Sequence, residues 1–80
     1  MNRDDLRLAA ERAGIRPSAY DLDPGRLSDD VHCLAIVAGG WAVWFAERGQ
    51  RRDEVVFNTE DEACSELLLR LTTDPTTRTR

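Results

Sequence analysis

The sequence predicts one small α+β domain, in which two helices pack on one face of an antiparallel sheet. Apolar residues recur at helical spacing in residues 3–13 and again after Thr59, and apolar stretches of strand length lie between them. Turn residues separate those stretches. A chain of 80 residues is long enough for a single domain with a thin core. We expect this domain over residues 1–75 and a frayed polar tail over residues 76–80.

Both helices carry recognisable end signals. Asn2 is the expected N-cap of the first helix, and Gly14 is the expected stop after it. Thr59 with Glu62 three positions later predicts a capping box at the start of the second helix. We expect this helix to run to about Leu71.

The middle of the chain predicts an antiparallel meander of three strands. The expected strands are residues 31–38, 41–47 and 54–57. Gly39-Gly40 predicts a tight hairpin between the first two, and the polar residues 48–52 predict the second turn. Because both connections are short, neighbouring strands should run antiparallel.

The two faces of this sheet differ in their side chains, which alternate along each strand. The bulkier set should face the helices: Leu34, Ile36, Trp41, Val43, Phe45, Val55 and Phe57. The outer set is apolar as well: Cys33, Ala35, Val37, Ala42, Trp44, Ala46 and Val56. If the outer face is exposed, Trp44 is a candidate anchor for a partner. The alternative is that residues 16–30 cover this face, with a short fourth strand near Tyr20.

Charge and hydropathy exclude some classes of partner. The formal net charge is −4, which disfavours nucleic acid and anionic membranes. No apolar run approaches the ~20 residues of a membrane helix, and no signal segment follows Met1. We therefore expect a cytoplasmic protein.

No pattern of residues predicts catalysis, a metal site or a cofactor site. His32 is the single histidine, and it is expected near the surface at a strand start. Its neighbour Cys33 points to the opposite face of the strand, so the two do not converge. Cys33 and Cys64 are expected to be small buried hydrophobes. The paired carboxylates lie in polar turns and at a helix start, and no glycine-rich phosphate loop is present. We therefore expect a non-enzymatic protein.

Two stretches of this sequence resemble small actinobacterial proteins that are encoded beside secreted polymorphic toxins. The first is an aromatic strand that begins at Trp41 and ends in Glu47-Arg48-Gly49. The second is a strand ending in Phe57, followed by a helix that opens with acidic residues and Ala63. The likeness covers roughly residues 5–75. This resemblance implies an immunity protein, but it does not assign a toxin-contact role to any residue of this chain.

These observations predict a protein-binding domain whose acidic surface blocks the basic cleft of a toxin from a neighbouring gene. Besides Trp44, the candidate contacts are acidic residues of the 21–30 loop and of the second helix start. They are Asp21, Asp23, Asp29, Asp30, Glu60, Asp61 and Glu62. The alternative function is a structural or scaffold domain that forms a homodimer through its outer sheet face.

Overall fold

The computed structural model describes residues 1–24 and 29–79, and it confirms the α+β class. Within these residues the chain forms two helices and a four-stranded sheet, with short 3-10 turns at Pro17–Ala19 and Pro75–Thr77. In chain order, the helices and strands are α1 (Arg3–Arg12), β1 (Tyr20–Asp21), β2 (Val31–Val37), β3 (Gly40–Glu47), β4 (Gln50–Phe57) and α2 (Glu60–Thr73).

The strands lie in the order β1-β2-β3-β4. The meander of β2, β3 and β4 is antiparallel, as predicted. The expectation of a wholly antiparallel sheet is wrong, because the additional strand near Tyr20, β1, runs parallel to β2. Its register pairs Tyr20 with His32 and Asp21 with Cys33. Because a tight hairpin joins antiparallel neighbours, it cannot join β1 to β2.

The second hairpin is tighter than predicted. β4 begins at Gln50 rather than Glu54. The turn residues Arg48 and Gly49 have φ values of 52° and 76°. Positive φ at both central residues is the geometry of a two-residue type I′ hairpin, whose twist suits the flanking strands. The polar residues after this turn therefore belong to the strand.

A β-bulge interrupts the pairing of β4 with β3. Val43 pairs with Val55, but Phe45 pairs with Arg52, so β4 has one extra residue between these pairs. Asp53 lies in this bulge with φ of 54°. Because the extra residue reverses the alternation of side chains, Arg52 shares the face of Phe45.

The main core lies between the sheet and the helices. α2 covers the middle of the sheet, where Leu34 and Val43 are fully buried, and α1 packs mainly against α2. The predicted placement of both helices on one sheet face is therefore correct in part. Two of the expected core residues are exposed at the edges of this layer: Ile36 is 65% exposed and Val55 is 42% exposed.

The part of the outer sheet face around Trp44 is buried, so the expectation of an exposed Trp44 is wrong. Trp44 is 4% exposed and forms a second cluster with Cys33, Ala42 and Ala46. Trp44 is therefore not an exposed anchor, and the alternative that residues 16–30 cover this face stays a prediction. Residues 25–28, part of the segment that was expected to cover it, lie outside the described residues.

The expected frayed tail is instead held in place up to Thr79. Thr77 is 2% exposed, and its Oγ1 donates to the carbonyl oxygen of Leu71 at 2.6 Å. Residue Ile15 forms an isolated antiparallel bridge with Arg78, and Thr79 N donates to the carbonyl of Gly14. The chain after α2 therefore packs against the loop that follows α1.

The predicted N-caps are present, but the capping box expected at Thr59 is only half formed, because the Glu62 carboxylate accepts from the Thr59 hydroxyl and not from the Thr59 backbone N–H. The side chain of Asn2 accepts from the backbone N–H of Asp5, and the Asp5 carboxylate accepts from the backbone N–H of Asn2. Thr59 accepts from the backbone N–H of Glu62 at 3.2 Å, while its hydroxyl donates to the Glu62 carboxylate. α2 extends to Thr73, two residues beyond the predicted end.

Candidate functional site

A groove of about 460 Å³ opens on the helix side of the sheet, beside α2. We call it the α2 groove. Strands β2, β3 and β4, the second half of α2 and the residue after it supply its walls. The lining residues are His32, Phe45, Asp53, Glu66, Leu69, Arg70, Thr73 and Asp74.

A buried histidine and a carboxylate lie together in this groove. Nε2 of His32 lies 3.0 Å from Oδ2 of Asp74. The hydrogen bond from His32 is the main cause that lowers the pKa of Asp74, and the N–H of Thr76 adds to it. The ionised carboxylate can only accept, so Nε2 donates to it. The expectation of a surface histidine is wrong, because His32 is 8% exposed.

The Nδ1 atom of His32 is buried and has no hydrogen-bond partner among the described residues. The ring packs against Phe45, with the ring centroids 4.7 Å apart. A buried polar atom without a partner costs about 1–3 kcal/mol. The bond to Asp74 and the packing against Phe45 offset this cost, so this histidine serves to hold the groove wall in place.

The α2 side of the groove carries an ion pair and an exposed leucine. Nε of Arg70 donates to Oε2 of Glu66 at 2.7 Å, one helical turn away. Leu69 lies between these two in sequence and is 59% exposed. With Phe45, it gives the groove an apolar part that ends in charged groups.

Asp53 brings a third carboxylate to this groove. It is exposed on the β4 bulge and makes no ion pair with another described residue. Its neighbours in β4 are paired otherwise, since Arg52 bonds Glu47 and Arg51 bonds Glu54. The groove therefore holds three carboxylates and one guanidinium, and it is acidic overall.

The two cysteines pack in the interior, as predicted. Cys33 and Cys64 are 1% and 0% exposed. Burial raises the pKa of the Cys33 thiol to about 11 and raises that of Cys64 as well. Both thiols are therefore protonated at neutral pH, and neither is an activated nucleophile.

The acidic residues at the start of α2 make contacts within the chain. Glu60 accepts from both the backbone N–H and Nε of Arg3, and Asp61 accepts from the N-terminal ammonium group. Glu62 accepts from the Thr59 hydroxyl. These carboxylates join α1 to α2 and cap α2, which accounts for them structurally.

The aspartates of residues 21–30 lie at two places on the sheet, with Asp21 in the edge strand β1 and Asp29 and Asp30 beside the end of β3. Asp21 accepts from the backbone N–H of Asp23, and Asp29 accepts from that of Arg48 at 2.6 Å. Asp30 is exposed with φ of 58°. None of these residues lines the α2 groove.

Trp44 contacts a cation of its own chain. The guanidinium carbon of Arg51 lies 3.9 Å from the centroid of the Trp44 ring. The indole is therefore part of the second core cluster and of a cation–π contact. Leu69 is an exposed apolar side chain that lines the groove, and the sequence analysis did not identify it as a candidate contact.

Neither a metal site nor a membrane helix is found within residues 1–24 and 29–79. No group of three or more histidine, cysteine or acidic side chains there could hold a metal ion. None of the helices in these ranges is long and apolar enough to cross a membrane. Comparison with protein-family models, with curated proteins and with solved structures finds no match for this chain.

Proposed function

We propose that this chain is a non-enzymatic immunity protein that binds and neutralises a toxin domain encoded by a neighbouring gene. The single observation that carries the proposal is the α2 groove, which combines an exposed leucine with a surplus of carboxylates. Apolar surface bordered by charge is typical of a site for another protein. The resemblance of the Trp41–Gly49 strand and of the following helix to immunity proteins supports the same class.

The net charge supports a basic partner. The chain carries a formal charge of −4, and the groove adds a local surplus of negative charge. Opposite charges accelerate association and select against acidic partners. Many toxins that act on nucleic acids have basic clefts, because their substrates are polyanions. An acidic domain that binds across such a cleft would exclude the substrate.

Co-expression with the product of the neighbouring gene tests this proposal. We expect the chain to restore growth and to co-purify with the toxin domain. Leu69→Asp should weaken the complex, because it places a carboxylate at the apolar part of the groove. Leu8→Asp is the matched control, since Leu8 is a 53% exposed helix residue outside the groove. Equal binding by both variants would place the interface elsewhere, and growth arrest without a complex would contradict the immunity role.

Self-association is the second candidate, and the exposed edge strand β4, which includes the outer-face residue Val56, favours it. β4 lies at the edge of the sheet, and Val55 and Val56 on it are 42% and 52% exposed. An exposed apolar edge strand can pair with a second copy. Sedimentation of the wild type and of Val56→Lys discriminates the two functions, because only a homodimer should fall to monomer mass on this substitution.

A further inference from the structure

We propose that the α2 groove accepts an arginine side chain of the partner protein. This inference rests on the proposed function and names the group that the groove recognises. The occupant is a guanidinium group with its aliphatic stem, presented by a basic protein surface.

The charged groups that line the groove leave one carboxylate, that of Asp53, available to an added cation. Glu66 is neutralised by Arg70, and Asp74 accepts from His32. Asp53 has no cationic partner among the described residues. An incoming guanidinium would therefore meet a carboxylate that is not already paired with a described residue, and it would form a charge-assisted hydrogen bond.

The apolar part of the groove favours arginine over lysine. Phe45 and Leu69 offer surface for an aliphatic stem, and a guanidinium is planar and weakly hydrated, so it loses less on entering such a site than an ammonium does. The chain uses the same kind of contact internally, where Arg51 lies over Trp44.

A titration with a small probe tests the inference on the full chain without the partner. The probe is N-acetyl-arginine methylamide, and its control is N-acetyl-citrulline methylamide, which has a similar shape and no charge. We expect the arginine probe to shift the NMR signals of His32 and Leu69 in a saturable way. The citrulline probe should bind about fivefold more weakly or worse. Equal shifts with both probes, or no saturable shift up to the solubility limit, would overturn the inference.

Two matched substitutions assign the carboxylate. Asp53 and Asp30 are both exposed and both have left-handed backbones, with φ of 54° and 58°. Asparagine tolerates this conformation, so either Asp→Asn variant should fold. Asp53→Asn should weaken the arginine probe about threefold to fivefold, whereas Asp30→Asn should leave it unchanged. The opposite result would move the site to the 21–30 loop and reject the groove.

The probe titration and the co-expression experiment can fail independently, so each tests one of the two proposals. If the toxin domain binds but the arginine probe does not shift the groove signals, the proposed function stands and this inference is wrong. If the probe binds in the groove but the product of the neighbouring gene neither kills nor associates, the arginine site stands and the immunity role is wrong. Circular dichroism of each variant confirms that a lost signal is not a lost fold.

Discussion

Nε2 of His32 lies 3.0 Å from Oδ2 of Asp74, and this contact joins the start of β2 to the residue that ends α2. The two residues are 42 positions apart in the chain. Their hydrogen bond anchors one wall of the α2 groove and the start of the C-terminal segment.

Replacing Asp74 by asparagine should lower the free energy of unfolding by about 1–2 kcal/mol, because the charge-assisted bond from His32 is replaced by a neutral one in which the asparagine NH2 group faces Nε2 and donates to it. Asparagine keeps the side-chain oxygen that accepts from Thr76 N, so the turn after α2 is preserved. Urea unfolding measures the change. Asp23→Asn, at an exposed position, is the control and should differ from wild type by less than about 0.5 kcal/mol. Equal effects of the two variants would contradict a stabilising His32–Asp74 bond.

The same bond predicts an acid-sensitive part of the stability. The pKa of Asp74 is lowered in the folded state from its ordinary value of 3.8. A lowered carboxyl pKa stabilises the fold fully above pH 3.8, and this contribution is lost as pH falls through the folded-state pKa. The difference between wild type and Asp74→Asn should therefore shrink as the pH falls below 3.8. A difference that grew on acidification would show the opposite linkage.

Thr77→Val should destabilise the protein by about 1–3 kcal/mol, because it removes a buried hydroxyl and leaves the carbonyl of Leu71 without that donor, while the carbonyl of Asp74 keeps the backbone N–H of residue 77. That hydroxyl donates to the carbonyls of both Leu71 and Asp74. Thermal unfolding measures the effect. Thr73→Val is the matched control, since Thr73 is exposed and its hydroxyl donates to the carbonyl of Leu69, one turn earlier in α2. A frayed tail would make both substitutions equally mild.

Trp44→Ala should cost about 3–5 kcal/mol, because it opens a cavity in the cluster that Trp44 forms with Cys33 and Ala42. The loss should appear in the free energy of unfolding, measured with urea. Val56→Ala removes an apolar side chain from the same sheet face at a 52% exposed site and should cost much less. A folded Trp44→Ala protein with wild-type stability would mean that the outer face is open to solvent.

Gly40→Ala should be far more destabilising than Gly39→Ala. Both glycines have positive φ, at 149° and 88°, so both substitutions strain the backbone. Only at Gly40 would the added Cβ collide with the carbonyl oxygen of Phe57. At Gly39 the added Cβ meets open space, and the loss in the free energy of unfolding should stay at about 1 kcal/mol. Melting temperatures of the two variants give the comparison, and equal values would argue against close approach of β3 and β4 there.

Local signals in the sequence determined the secondary structure of this protein. The caps at Asn2 and Thr59 and the stop at Gly14 depend on residues within one turn, so they could be predicted. The antiparallel meander followed from short connections in the same way. The β4 start at Gln50 was missed because the turn uses Arg48 in a left-handed conformation that arginine rarely adopts.

Only the tertiary structure decided which surfaces are covered and which groups meet. The burial of Trp44, the anchoring of Thr77 and the parallel pairing of β1 all depend on segments that are distant in the chain. The α2 groove exists because the fold brings the start of β2 and the β4 bulge to the second half of α2. Periodicity reports the environment of one element at a time, whereas a site is defined by the contacts between elements.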